Sequence, residues 1–175
     1  GTHFYACERP KYFQTVLGRK CIGKNHCVTV TGLEKATRYR YRIYTQEVIK
    51  RKGRITYGYV AASRIFRARP FNATTLDYAK ESINCLIVND VHGTEILETM
   101  LKGRVDINNT DMVIYNGDMA SLENNYVYRI WKSFINTSVE HFAKDVPLVM
   151  VRGVGESLGT LGQLFNVVFP TPTGK

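Results

Sequence analysis

The sequence of 175 residues predicts a β-rich, sandwich-like first part followed by an incomplete α/β part in β-α-β-α-β order. Two observations carry this fold class. Apolar and polar residues alternate with a period of two over 27–31 and 38–44, which is typical of half-buried antiparallel strands. Three later runs rich in β-branched residues indicate buried strands, and helical periodicity lies between them. We therefore expect a parallel sheet with right-handed crossovers in the second part.

The strand 38–44 is the clearest element of the first part. Tyr39, Tyr41 and Ile43 would lie on one face, with arginines on the other. A connection and a charge-rich turn separate it from its neighbours. Further strands are predicted at 27–31, 55–61 and 63–67. These strands would form an antiparallel sheet with one solvated face.

The second part alternates strands and helices. Buried strands are predicted at 83–88, 111–115 and 147–151, and helices at 94–102 and 123–143. Each helix presents an apolar stripe with helical spacing. The order is that of a parallel sheet with crossover helices.

Positive charge is concentrated in the first part. Residues 1–70 carry 16 Lys and Arg against 3 Asp and Glu, whereas residues 71–175 carry 8 against 12. The change falls at 67–70, which we interpret as a linker, so domains are predicted over 1–70 and 71–175. A basic half can indicate nucleic acid as a partner, but no nucleic-acid-binding motif accompanies it. We favour arginines on solvated strand faces and keep nucleic-acid binding as the alternative.

Length and composition exclude some classes and leave others open. No apolar run approaches the roughly 18–20 residues that a membrane-spanning helix needs, so no membrane span is expected. The absence of any Cys-x-x-Cys pair argues against a structural zinc site. Cys85 lies inside an apolar run and is predicted to be a buried thiol. Cys7, Cys21 and Cys27 allow one disulfide.

Each strand of the second part is followed by polar residues and glycines. We call these three strand-end segments stations. They are Asp90-x-His92, Gly117-Asp118 and Arg152-Gly153-x-Gly155-Glu156. Parallel strands end at one edge of a sheet, so these side chains can converge. Carboxylate and imidazole together suit divalent Mn, Fe, Zn or Co rather than Ca. We predict Asp90, His92 and Asp118 as metal ligands, with Asp118 bridging two ions, and weigh this against the alternative that each Asp is a helix cap or a loop carboxylate.

The first part resembles a fibronectin type III-like domain. The pattern that carries the resemblance consists of Val28, Val30, Gly32, Leu33, Thr37, Tyr39, Tyr41 and Ile43. The spacing from Leu33 to Tyr39 is similar to that of the leucine and tyrosine which such sandwiches bury across their sheets. About four strands can be identified, where a full sandwich needs about seven. The resemblance therefore implies a partial domain over 1–70.

The three stations resemble the calcineurin-like metallophosphoesterase family. Its pattern is Asp-x-His, then Gly-Asp, then Gly-Asn-His-(Asp/Glu), and Asp90-x-His92 and Gly117-Asp118 match the first two. The resemblance implies a hydrolase that cleaves phosphate esters with two divalent metal ions, in an extracytoplasmic location. With a sandwich-like domain in front, the chain is also similar to purple acid phosphatases. It differs from them in having His92, and in Ser121 at the place of their Tyr ligand.

The third station departs from the family pattern. Val154 stands where the family has an Asn metal ligand, and Gly155 stands where it has the His that assists the leaving group. Val has no lone pair and Gly has no acid, so the second ion would lose a ligand. General-acid assistance, worth roughly 10²–10⁴-fold, would be lost with the His. Arg152 either holds a phosphate oxygen or pairs with Glu156.

These departures decide how the function is predicted. We assign no catalytic residue, because the expected His position is Gly155. The prediction is a metal-dependent phosphoesterase that is impaired in this chain, and the alternative is a non-catalytic binding module on the same scaffold. The family supplies further His ligands later in the domain, and 157–175 contain none. We therefore expect the chain to be part of a longer protein, whose substrate, metal and oligomeric state the sequence leaves open.

Overall fold

The structure is a computed structural model and describes residues 11–13, 23–62, 71–77, 79–102, 106, 108–119, 134–157, 165–166 and 168–169. The chain divides into two compact units. One comprises Gly1–Leu33 with Lys80–Lys175, and the other comprises Glu34–Ala79. In the first unit, a short antiparallel pair joins β1 (Lys11–Phe13) to β2 (Gly23–Asn25).

The second unit contains two antiparallel strand pairs. Its strands are β3 (Arg38–Tyr41), β4 (Tyr44–Arg51), β5 (Arg54–Ala62) and β6 (Phe71–Thr74). β3 pairs with β6 and β4 pairs with β5. The β4–β5 hairpin turns at Lys52-Gly53, where both residues have positive φ. Two consecutive left-handed residues are the geometry of the tight hairpin turn whose twist matches that of the strands.

Several predictions for the first part can now be compared with these elements. The alternation is confirmed over β3, since its tyrosines are half-buried and its arginines exposed. The predicted extent 38–44 is wrong, because β3 ends at Tyr41, β4 begins at Tyr44 and Ile43 is 50% exposed. The predicted strand 55–61 is confirmed within β5. The strand predicted at 27–31 is wrong, because these residues are exposed and form no ladder. The predicted strand 63–67 lies outside the described residues. A complete sandwich is therefore not confirmed.

The predicted domain boundary at 70/71 stays a prediction, as do the domain identities. β6 begins at Phe71 and pairs along its whole length with β3. The compact unit that contains β3 extends to Ala79. The boundary was predicted where the net charge of the sequence changes. The pairing of β6 with β3 instead includes the residues directly after 70 in the compact unit.

The α/β part is a three-stranded parallel sheet in the order β7-β8-β9. Its elements in chain order are β7 (Cys85–Val88), α1 (Thr94–Leu101), β8 (Met112–Asn116), a π-helical segment (Val139–Ala143), β9 (Leu148–Val151) and a helical turn α2 (Val154–Ser157). β7 and β9 both pair in parallel with β8. The predicted alternation of parallel strands and helices is confirmed for this part.

The helices agree with the sequence where they are described. α1 spans all but one residue of the predicted 94–102. Of the second predicted helix, residues 134–138 are α-helical and continue into the π-helical segment, while 123–133 lie outside the described residues. No helix in the described ranges has the length and apolar character needed to cross a membrane.

One face of the sheet carries the core. Val113 and Tyr115 of β8 are fully buried there, and the Tyr115 ring makes edge-on contacts with Phe134 and Phe142. The other buried hydrophobic members of this cluster are Val88, Val91, Leu97, Leu101, Met119, Val146 and Phe165. Burial of this apolar face is the main force that fixes the sheet.

The opposite face of the sheet is exposed. Ile87 is 59% exposed and Val149 is 42% exposed, so the predicted burial of these strands is confirmed for one face only. Cys85 is a free, exposed thiol, and its predicted burial is wrong. The reason is the period of two, since Cys85 and Ile87 lie on the same side of β7. Cys27 is likewise free and exposed, and Cys7 and Cys21 lie outside the described residues.

Candidate functional site

The loop after β7 carries the first pair of predicted ligands. Asp90 and His92 both have positive φ, at 57° and 54°, a conformation uncommon for residues with a side chain and often found at functional sites. Val91 between them is buried in the core. Burying Val91 turns its two neighbours outward, so both polar side chains are exposed at the end of the strand.

Asp90 and His92 are in direct contact. Nε2 of His92 lies 2.5 Å from Oδ1 of Asp90, and both side chains are more than half exposed. An exposed pair of this kind contributes little to folding stability. Its chemical value lies in the donor set, because it offers a carboxylate oxygen and an imidazole nitrogen at one point of the surface.

Main-chain hydrogen bonds join this loop to the loop after β8. The amide of Asp90 donates to the carbonyl of Gly117 at 3.1 Å, and the amide of His92 donates to the carbonyl of Asp118 at 3.3 Å. The two loops therefore continue the pairing of β7 with β8 beyond the strands. This pairing brings the first two predicted stations together through the backbone.

The second and third loops meet through two glycines. Gly117 has a φ of +83°, and a Cβ at this position would lie 2.8 Å from the Cα of Gly153. A Cβ on Gly153 would in turn collide with the main-chain nitrogen of Asp118 and lie 2.8 Å from its Cγ. Only residues without a side chain permit this approach. The sequence pattern Gly-Asp followed by a later Arg-Gly thus has a packing reason as well as a chemical one.

The Asp118 carboxylate is engaged by the third loop. Its Oδ1 accepts a hydrogen bond of 2.5 Å from the amide of Gly155. Among the described residues, no hydrogen bond reaches its Oδ2. Asp118 itself has a positive φ of 52°. The side chain is therefore directed toward the loop after β9 at the edge where all three stations lie.

Glu156, the last residue of the third station, makes contacts that sequence reasoning missed. It is fully buried, and its Oε2 accepts from the amides of Asp118 at 2.8 Å and Gly153 at 2.9 Å. Its Oε1 accepts from the amide of Met119 at 2.7 Å. The sequence placed Glu156 in the third station and gave a pairing with Arg152 as one of two alternatives for that arginine. The signal that could have indicated these contacts is an acidic residue directly after a Gly-x-Gly loop, where a carboxylate can accept from several main-chain amides.

Val154 and Gly155 open the helical turn α2. Val154 is 70% exposed and presents an aliphatic side chain at the position where the resembling family has a ligand. Gly155 is buried and contributes only its amide. The third loop therefore keeps its backbone contacts to Asp118 and offers no side-chain donor at these two positions.

Arg152 lies at the end of β9 and is exposed. Its guanidinium carbon is 5.7 Å from the centre of the Phe165 ring, within the range of a cation–π contact. Its predicted role in binding phosphate stays a prediction.

The helix-cap alternative for Asp90 does not hold. The N-cap of α1 is Gly93, and no side chain caps that helix by a hydrogen bond. Asp90 instead pairs with His92.

The fit of these residues to a metal ion is partial. Within the described ranges, no group of three or more His, Cys, Asp or Glu side chains is placed to hold a metal. Asp90 and His92 supply two adjoining donors, and Asp118 is joined to them through the backbone rather than the carboxylate. The described residues thus place two possible donors, Asp90 and His92, side by side.

An open groove of about 530 Å³ borders the first turns of α1. Glu95 and Glu98 are among the side chains that line it. Two carboxylates would repel a phosphate group. The strand-end edge is therefore the better candidate for phosphate chemistry.

Comparison with known proteins identifies a shared fold. The structure is similar to that of a purple acid phosphatase isolated from yellow lupin (Lupinus luteus) seeds, with a TM-score of 0.57 at 15% sequence identity. The similarity covers 85% of this chain and 28% of the lupin chain. No protein-family model matches the sequence, and no curated protein matches it. At this identity the similarity supports a phosphoesterase-like fold and leaves the metal motif and the fibronectin-like domain untested.

Proposed function

We propose that residues 71–175 are the N-terminal portion of a metallophosphoesterase domain, a scaffold for hydrolysis of phosphate esters at the carboxyl edge of the β7-β8-β9 sheet, and that Val154 and Gly155 impair this hydrolysis. The observation that carries the proposal is the joining of two stations, since the backbone of Asp90 and His92 is bonded to that of Gly117 and Asp118. A shared fold with a phosphatase supports the same conclusion. The activity is a proposal for the whole protein, because the chain spans 28% of the phosphatase it resembles.

Each predicted residue has a role in this proposal. Asp90 and His92 would hold one divalent ion, of Mn, Fe, Zn or Co, and Asp118 would bridge it to a second ion through its carboxylate. Such ions supply positive charge that polarises a phosphoryl group and lowers the pKa of a bound water. Arg152, which directly follows β9 in the sequence, would bind a phosphate oxygen as a fixed cation.

Metal binding tests the proposed ligands directly. Titration with Mn²⁺ followed by calorimetry should detect binding that His92→Ala abolishes, because an alanine removes the imidazole donor. His26→Ala is the matched control, since His26 is also exposed and lies outside the site. Equal Mn²⁺ affinity in the two variants would remove His92 from the ligand set.

A non-catalytic binding module on the same scaffold is the second candidate. It is favoured by the exposed aliphatic side chain of Val154 and by Gly155, which offers its amide to Asp118 but no acid. In this case the site would bind a phosphorylated ligand without cleaving it. The loop geometry would serve recognition alone.

Restoring the family residues separates the two candidates. In the full-length protein, the double variant Val154→Asn with Gly155→His should gain hydrolysis of a generic phosphate ester in Mn²⁺ if the protein is a disabled enzyme. Asp118→Asn in the same background is the control and should abolish any gain. Hydrolysis by the unaltered chain would contradict our interpretation of Val154 and Gly155.

A further inference from the structure

We infer that the third loop of this chain supports Asp118, and that Glu156 is the positioning residue at its centre. The inference rests on the proposed function for the role of Asp118 as a metal ligand. The contacts that support the inference are hydrogen bonds and close packing within the chain, and they do not require a metal ion. It assigns a role to the loop after β9, in which Val154 and Gly155 stand where the resembling family has a metal ligand and an acid.

Three neighbouring residues of the loop hold Asp118 from different sides. Gly155 donates its amide to Oδ1 of Asp118 at 2.5 Å. Glu156 accepts from the amide of Asp118 at 2.8 Å. Gly153 packs so closely that any Cβ there would collide with the backbone of Asp118. The side chain and the main chain of Asp118 are therefore both restrained by one loop.

Glu156 is a buried carboxylate that accepts hydrogen bonds from residues of both loops. Burying a carboxylate without partners is costly, and hydrogen bonds to an ionised oxygen are about twice as strong as neutral ones. Here three amides share the two oxygens, from Asp118, Met119 and Gly153. One side chain thus ties the loop after β8 to the loop after β9.

Asp118 needs such a restraint because of its backbone conformation. Its φ of 52° lies in the left-handed region, which persists only where surrounding contacts maintain it. The amide that Glu156 accepts is the amide of this same residue. Loss of the carboxylate would free the peptide that sets the direction of the Asp118 side chain.

Variants of Glu156 test this inference. Glu156→Gln keeps one acceptor oxygen and places an NH₂ donor against a main-chain amide, whereas Glu156→Ala removes both acceptors. Amide hydrogen exchange at Asp118 and Met119 should rise in the order Glu, Gln, Ala, while exchange in the β8 strand changes little. Mn²⁺ affinity should fall in the same order, by about 10-fold for Gln and up to about 100-fold for Ala, as for other residues that orient metal ligands.

Glu140→Gln is the matched control, because Glu140 is an exposed carboxylate on the π-helical segment. It should change neither exchange nor affinity. Unchanged exchange and affinity in Glu156→Gln would overturn the inference, and so would acceleration spread evenly over the whole sheet, which indicates a merely structural role. If the unaltered chain binds no Mn²⁺, the proposed function fails. Local acceleration at Asp118 in Glu156→Gln would still support the restraint of this loop.

Discussion

Gly117 and Gly153 show how single residues decide the geometry of this site. Their backbones approach so closely that a Cβ on Gly117 would lie 2.8 Å from the Cα of Gly153. The positive φ of Gly117 adds a second constraint. The close approach places the amides of the third loop against Asp118. Both glycines therefore act on the site without carrying chemistry themselves.

Gly117→Ala should be strongly destabilising. An L residue with a side chain in the left-handed region costs about 1–2 kcal/mol, and the contact with backbone atoms adds to it. We expect a loss of about 2–4 kcal/mol in the free energy of unfolding, measured by urea denaturation. Gly93→Ala is the control in the same unit, since nothing lies within 4 Å of its Cβ. Equal losses for the two variants would contradict this account of Gly117.

Tyr115 gives a pH-dependent prediction. Burial raises the pKa of its hydroxyl from 10.0 to about 12, opposed by the hydrogen bond with Ser138. A raised pKa means that the folded state holds the proton more tightly. The resulting stability is therefore present below pH 10 and is lost as the pH rises toward 12. One pH unit above the unfolded pKa, the loss is about 1.4 kcal/mol.

The variant Tyr115→Phe isolates this effect, because phenylalanine has no proton to lose. The difference in unfolding free energy between the parent and the variant should shrink from pH 8 to pH 11 by about 1.4 kcal/mol. Urea denaturation at the two pH values measures it. A difference that stays constant with pH would show that Tyr115 titrates normally.

At the scale of elements, the parallel sheet has one core face and one exposed face. Val113 in β8 is fully buried, whereas Val149 in β9 is 42% exposed. The two are one residue out of register across the β8–β9 ladder, where Val113 pairs with Leu148 and Ile114 with Val149. They therefore point to opposite faces of the same sheet.

Val113→Ala and Val149→Ala form a matched pair. Both lose the same two methyl groups and the same β-propensity, so their difference reports burial. We expect Val113→Ala to cost about 2 kcal/mol, through lost burial and a residual cavity, and Val149→Ala to cost well under that. Chemical denaturation of both variants measures the difference. Equal costs would mean that the exposed face is also covered in solution.

The sequence predicted the second part better than the first, for physical reasons. Strands and helices that alternate along the chain form local βαβ contacts, so periodicity alone indicates the parallel sheet. The segment 27–31 has strand periodicity but is not a strand in the structure, because strand formation depends on pairing with distant residues. The predicted burial of Cys85 was wrong for a related reason. An apolar run does not reveal whether one face of its strand is buried or both faces are.

The sequence predicted where the candidate site lies better than how its residues contact one another. Asp90, His92 and Asp118 were proposed as ligands because ligand-type residues directly follow strands, and that role stays a prediction. The acidic residue Glu156 was visible in the third station, but its hydrogen bonds from the amides of Asp118 and Met119 were not, because those amides belong to residues distant in the sequence. The contact of Gly117 with Gly153 is likewise a consequence of tertiary structure.

At the scale of the whole molecule, positive charge belongs to the first part of the chain. Residues 1–70 carry 16 Lys and Arg against 3 acidic residues, and the arginines of β3 are exposed beside half-buried tyrosines. This arrangement agrees with solvated strand faces.

Fluorescence anisotropy with a single-stranded oligonucleotide, at several salt concentrations, distinguishes solvated arginines from a nucleic-acid-binding surface. We expect no measurable affinity at 0.15 M salt. Affinity that falls steeply as salt rises would instead support nucleic acid as a partner.

The central claim is that the carboxyl edge of the parallel sheet holds a divalent metal ion for phosphate chemistry. The most direct measurement is a crystal structure at saturating Mn²⁺, with anomalous scattering to identify the ion. We predict Mn²⁺ within about 2.0–2.4 Å of Asp90 and His92, the usual range for oxygen and nitrogen ligands. An edge without Mn²⁺ under these conditions, or Mn²⁺ bound only elsewhere on the chain, would contradict the claim.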